Sequence, residues 1–167
     1  MENLKKSALL TPELAAQAVE ILRPSIETLI KNQNGRLVIY IVILDPVAAA
    51  KGVYEVLWEG PIGEANTDKW PKSYNEFAHA KTRVTFQTRL PSHLVRFHAP
   101  YMYQNGDFKF GGSDIRENLI TGSSGLDWHH DYLVSATINA TLHALCLGAI
   151  GTESSPLFIG QPAAEQK

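Results

Sequence analysis

The segment GSSGLDWHHDYL, residues 122–133, carries the densest set of side chains able to do chemistry. His129 and His130 are adjacent, lie between Asp127 and Asp131, and follow a run of small residues that includes Ser124 and Gly125. Imidazole and carboxylate are metal ligands, so a metal centre is the first chemistry to weigh. Neighbouring residues of a regular helix point about 100° apart, which argues against both rings serving one ion. A metal-binding helix prefers histidines four residues apart. His143 would sit about 21 Å further along the axis than His129, so a zinc site needs a ligand from elsewhere, and no metal is assigned.

Two other readings fit the same residues. In one, the histidines occupy an exposed first helical turn, capped by Asp127 or Ser124, with Asp131 complementing the helix dipole. In the other, exposed amides after GSSG bind a carboxylate or phosphate. GSSG lacks Walker or dinucleotide spacing, however, and a tight strand-to-helix turn is the simpler account. Elsewhere, His79 shares a helical face with Glu76 and Arg83, as a polar cluster in a cleft or as a solvated face. Serine, histidine and aspartate are all present, but no G-x-S-x-G elbow occurs, so no triad is assigned. Cys146 is the only cysteine, which excludes an intramolecular disulfide and a thiolate cluster within one chain. In the apolar run LHALCLGAI it reads as a buried structural thiol.

These side chains need a scaffold. The 167 residues suffice for one domain with a real core, expected over residues 1–148 with a loose tail at 149–167. An apolar fraction of 44% and a charged fraction of 19% are those of a globular protein. Fifteen basic against seventeen acidic residues leave a net charge of −2. Without a basic block there is no electrostatic footprint for nucleic acid or an anionic membrane. The N-terminus has no long apolar stretch of the signal-peptide kind, and no uninterrupted apolar run approaches the roughly 20 residues of a membrane helix. A cytoplasmic protein is the expectation.

Local patterns predict the elements. Thr11 and Pro12 open a helix with Leu14, Ala18, Ile21, Leu22, Leu29 and Ile30 on its apolar stripe. Pro24 should kink or split it, and Asn34-Gly35 should end it. RLVIYIVILD, residues 36–45, suits a central strand buried on both faces. PVAAAKG is a turn, and VYEVLWE a second strand closing an antiparallel hairpin. SYNEFAHAKTRVTFQTRL is a helix with Phe77, Ala80, Val84 and Thr88 towards the core. In LVRFHAPYMYQNGDFKF, Asn105-Gly106 predicts a type I′ hairpin. GGSDIRENLITGSSG is one short strand, and LDWHHDYLVSATINATLHALCLG a final helix closed by Gly148. The fold class is α+β, a mainly antiparallel sheet with flanking helices. The apolar content of LWEG, HAPYMY and FKF exceeds what one small sheet hides, so at least one of them should be buried in a homo-oligomer.

In this order the segments ILD with VYEVLWEG, AHAKTRVTFQTR, and ITGSSGLDWHHD resemble the GlcG/HbpS family, the DUF336-like, haem-binding-protein-like domains also found at the end of PduO-type proteins. The last segment matches a glycine-rich strand ending in Ser-Gly, here Ser124-Gly125, with an aspartate six residues on, here Asp131. The resemblance spans about residues 10–147. Two places depart from it: Gly111-Gly112 is followed by Ser113-Asp114 rather than x-Pro, and Pro46-Val47-Ala48 replaces the glycine pair after the first aspartate. The resemblance implies a profilin-like fold, a homo-oligomer and, in some members, a bound haem or related tetrapyrrole. It nominates Ser124, Gly125, His129, His130, Asp131, His79 and Lys81 as cofactor-binding residues, with His129 or His130, but not both, as an axial ligand. The leading expectation is a non-catalytic small-molecule-binding domain. The alternatives are a small enzyme using Asp131 or a histidine for acid–base work, and an accessory subunit without a ligand.

Overall fold

The strand β1 (Val38–Leu44), VIYIVIL, lies inside a four-stranded sheet with a neighbour on each side. The computed structural model describes residues 6–153 and residue 159. Around β1 the order of elements is α1 (Pro12–Lys31), β1, α2 (Pro46–Ala50), β2 (Val56–Gly63), α3 (Tyr74–Thr88), α4 (Ser92–His98), β3 (Ser113–Arg116), β4 (Leu119–Ser124) and α5 (Trp128–Gly151). The sheet order is β2-β1-β4-β3, and every pairing is antiparallel. This is the α+β arrangement expected, with β1 central as predicted.

Alternation along β1 divides the core in two. Ile39, Ile41 and Ile43 pack with α1 and α5 on one face, and Val42 and Leu44 with α2 and α3 on the other. The same alternation in β4 is polar. Thr121 and Ser123 bond Asn139 and Ser135 of α5, while Gly122 lies against Thr82 of α3. Along α5 the buried polar residues Asp131, Ser135 and Asn139 recur every fourth position, so they form one stripe facing the sheet. Asn139 also donates to Asp114 of β3.

Several local expectations are corrected. Pro24 does not split α1, which runs through it. Ile21 is 53% exposed, whereas Ala18 and Ile30 are buried as expected, joined by Ala15, Val19 and Ile26. PVAAA is a one-turn helix, its first amides accepted by the Asp45 side chain. On α3 the buried face is Ala78, Lys81, Thr82, Val84, Thr85 and Thr88, not Phe77 and Ala80.

The largest miss is the Asn105-Gly106 hairpin. Gly106 does turn with φ 93°, but no strand flanks it; the preceding residues form α4 and a single 3-10 turn at Pro100–Met102. Their aromatics pack on the start of α5, with His93 4.1 Å from Tyr132 and Phe97 5.6 Å from Trp128 between ring centroids. Tertiary packing of rings thus overrode a local alternation. The true hairpin is β3–β4, turned at Glu117 with φ 56°, where one strand was expected.

Gly148 does not close α5, which reaches Gly151. Most of the remaining expected tail lies outside the described residues. At 24 residues, with a most-apolar window of mean hydropathy 1.6, α5 is also long and apolar enough by composition to cross a membrane. Its polar stripe interrupts the apolar run, so consecutive apolar residues do not reveal this length.

Candidate functional site

A cleft of about 390 Å³ opens where β4 leads into α5. Phe77 of α3, Phe108, Phe110 and Trp128 form its walls. The rings of Phe77 and Phe108 stack at 4.9 Å, and Phe110 continues the series 5.5 Å from Phe108. Arg36, Lys72 and His129 stand on the same surface, and Lys81, Ser124 and Asp131 lie at its inner side.

Lys81 and Asp131 are an ion pair at 2.6 Å, with side chains 4% and 1% exposed. α3 and α5 lie on opposite faces of the sheet, so this pair joins the two layers past the end of β4. The Lys81 ammonium also donates to Ser123 O, and Asp131 Oδ1 accepts from Leu126 N. Burial pushes the lysine below and the aspartate above their usual ranges, each against the pull of its partner's charge. The ammonium sits 5.8 Å from the centroid of the Phe108 ring, within cation–π range of the cleft wall.

Gly112 makes room for this pair. With φ 137°, a Cβ there would meet Lys81 Nζ at 2.8 Å and Asp131 Cβ at 2.9 Å. The Gly111-Gly112 doublet, whose role the sequence left open, is therefore the place where the chain passes beside the buried charges into β3.

Asp131 is not the exposed dipole partner of the simpler reading; it is buried and fully engaged. Asp127 is the N-cap residue of α5, but its side chain makes no capping bond. It is bound to Arg36 at 2.9 Å instead. The two amides directly after GSSG are engaged within the turn: Leu126 N goes to Asp131 and Asp127 N to Gln33 Oε1, as a tight strand-to-helix turn requires.

The rings of His129 and His130 do not diverge as a regular helix would have them. Their ring centroids are 4.2 Å apart, and one ligand atom from each, together with one from Asp127, lie within 4.8 Å of one another. The 100° rule describes Cβ directions; in a first turn, with no preceding turn to crowd them, two-torsion side chains converge. His129 lines the cleft and His130 does not.

His79 is elsewhere. Its Nδ1 lies 3.0 Å from Tyr54 Oη and its Nε2 2.6 Å from Glu59, so its partners come from β2 and the loop before it rather than from Glu76. Burial raises the Tyr54 hydroxyl to about 12. Cys146 is half-buried rather than fully so, and burial raises its thiol. Of the seven nominated residues, the structure brings Lys81, Ser124, His129 and Asp131 to one cleft. Gly125 is buried in the turn behind it. The aromatic wall and Arg36 were not nominated. Phe108 and Phe110 were hidden by the hairpin reading of FKF, and Arg36 by its place at a strand end.

No protein-family profile matches the chain, and no curated protein matches its sequence. Solved structures do. The Ybr137w protein superposes with a TM-score of 0.53 at 15% identity, over 82% of this chain and 78% of that one. The Klebsiella pneumoniae protein ORFY, of the DUF336 family, superposes with a TM-score of 0.53 at 15% identity, over 86% of this chain and 97% of that one. At that identity the likeness is one of fold, and it is the fold that the sequence resemblance implied.

Proposed function

We propose that this chain is a small-molecule-binding domain of the GlcG/HbpS type whose cleft takes a carboxylate-bearing molecule with a flat apolar body, haem or a related tetrapyrrole being the leading ligand. One observation carries the reading: an aromatic wall stands beside a cationic rim, Phe77, Phe108, Phe110 and Trp128 facing Arg36 and Lys72. A flat conjugated body gains ring-to-ring contact on such a wall, and carboxylates pair with guanidinium and ammonium. His129, on the cleft, is the proposed axial ligand. For the enzymatic alternative, Asp131 offers no free base because both its oxygens are already bonded, which leaves His129 on the cleft as its acid–base group.

Titration with haemin, followed at the Soret band, tests this. A red-shifted band is expected at one haemin per chain. His129→Ala should abolish the shift and weaken binding about tenfold or more, roughly 1.4 kcal/mol. His130→Ala should leave the shift in place. Absence of any shift, together with no heat on calorimetric titration with protoporphyrin, would remove the tetrapyrrole.

The proposal includes assembly. Beyond the cleft the aromatic surface continues through Phe110 at 41%, Phe97 at 55% and Tyr101 at 84% exposure, and α5 exposes Leu133, Leu147 and Ile150. Exposed apolar area of this extent marks an interface, and a second copy of the chain is the proposed cover. Light scattering should report a mass above the 18.4 kDa of one chain, reduced by Phe97→Asp. A wild-type monomer at micromolar concentration would refute it.

A further inference from the structure

We infer that Asp127, His129 and His130 form a binding site for a divalent transition metal of the zinc, cobalt or nickel type at the mouth of the cleft. The inference stands on these three side chains and does not depend on any cleft ligand. Asp127 is the N-cap of α5 and the histidines are its second and third residues, so all three leave the helix before its first full turn closes. One ligand atom from each lies within 4.8 Å of the other two. Ligands around an ion with bonds of about 2.0–2.2 Å stand roughly 3.0–3.5 Å apart, so modest side-chain rotations complete the set.

A second observation points the same way. His130 Nδ1 is buried and has no hydrogen-bond partner among the described residues. An unsatisfied buried polar atom is unfavourable, and a metal bond through it would remove that cost. Two imidazoles and one carboxylate suit zinc, cobalt or nickel. Calcium and magnesium prefer all-oxygen sets. Three protein ligands also leave a position for water. Arg36 is the competing charge: its Nη2 holds Asp127 Oδ1 at 2.9 Å. A carboxylate has a second oxygen to offer, but the guanidinium opposes a cation beside it.

The test uses the full chain, stripped with chelator and free of tetrapyrrole. It is titrated with Co2+ followed by visible absorption, and with Zn2+ by competition against a chromophoric chelator. One ion per chain is expected. His129→Ala and His130→Ala should each weaken binding by at least the roughly 10–100-fold that loss of a mere supporting partner costs a metal site. Asp127→Asn keeps a good N-cap residue and should weaken binding without lowering the melting temperature. Arg36→Ala should tighten binding several-fold, an effect that a purely structural role for the cluster would not produce. His143→Ala, at an exposed histidine in the later turns of α5, should change nothing. The inference is overturned if Zn2+ affinity is unchanged in His130→Ala, or if His143→Ala loses as much as the cluster variants do. Failure here with a haemin shift intact would leave the proposed function standing, and the reverse result would leave the metal site standing alone.

Discussion

Asp131→Ala is expected to destabilise the protein by about 3–5 kcal/mol, the range for removing one partner of a buried ion pair. The size of the loss comes less from the missing attraction than from what stays behind. Lys81, with its side chain 4% exposed, would hold a charge with only Ser123 O as a hydrogen-bond acceptor. Leu126 N would lose its acceptor as well. Lys81→Met should lie in the same range for the mirror-image reason, stranding a carboxylate. The double variant Lys81→Met with Asp131→Leu should recover most of the loss, because well-packed apolar pairs often replace buried ion pairs at little cost. Urea unfolding of the wild type, Asp131→Leu, Lys81→Met and the double variant gives the cycle. A single-variant loss below about 1 kcal/mol, the value typical of an exposed pair, would mean that water reaches these charges.

Gly125→Ala should yield little folded protein. The residue has φ 150°, and a Cβ there would stand 2.1 Å from Val38 O and 2.7 Å from Ile39 Cα. Both obstacles are backbone of the central strand, so no rotamer change relieves them. Backbone strain of about 1–3 kcal/mol and overpacking of about 1–3 kcal/mol together approach the whole stability of a small domain. Gly122→Ala makes a useful contrast. Its Cβ would meet Thr82 Oγ1 at 2.0 Å, a side-chain atom. Adding Thr82→Ala should restore part of the stability in Gly122→Ala and none in Gly125→Ala. Circular dichroism and soluble yield check this; a normally folded Gly125→Ala would show that β4 and β1 can part there.

The contrast between these sites explains what could be read in advance. β1 was legible because seven consecutive residues are apolar or aromatic and both faces of a central strand are buried. The start of α1 was legible because Thr11 accepts from Leu14 N, as a local cap must. The ion pair was not, because its partners are fifty residues apart and neither has a local pattern announcing burial; locally Asp131 reads as a dipole partner, and only the family resemblance brings in Lys81. The cleft wall was not, because FKF alternates as a strand would while its rings instead stack on Phe77 of a helix. The histidine cluster was not legible because Cβ directions in a helix do not fix where the rings of a first turn lie. Local chemistry thus revealed the elements, and long-range contacts decided which side chains meet.

The polar stripe of α5 has a consequence for the route by which the chain folds. A helix apolar on nearly all sides has no preferred roll angle, and a collapsing chain could lay it on the sheet in many orientations. Asp131, Ser135 and Asn139 discriminate among them. Rolled by one residue, the helix would bury a carboxylate away from Lys81 and an amide away from Thr121 and Asp114. Each such error carries a desolvation penalty of a few kcal/mol, whereas exchanging one apolar contact for another costs little. The stripe therefore sets the roll angle of α5 on the sheet, and the alignment it selects is also the one that carries His129 to the cleft.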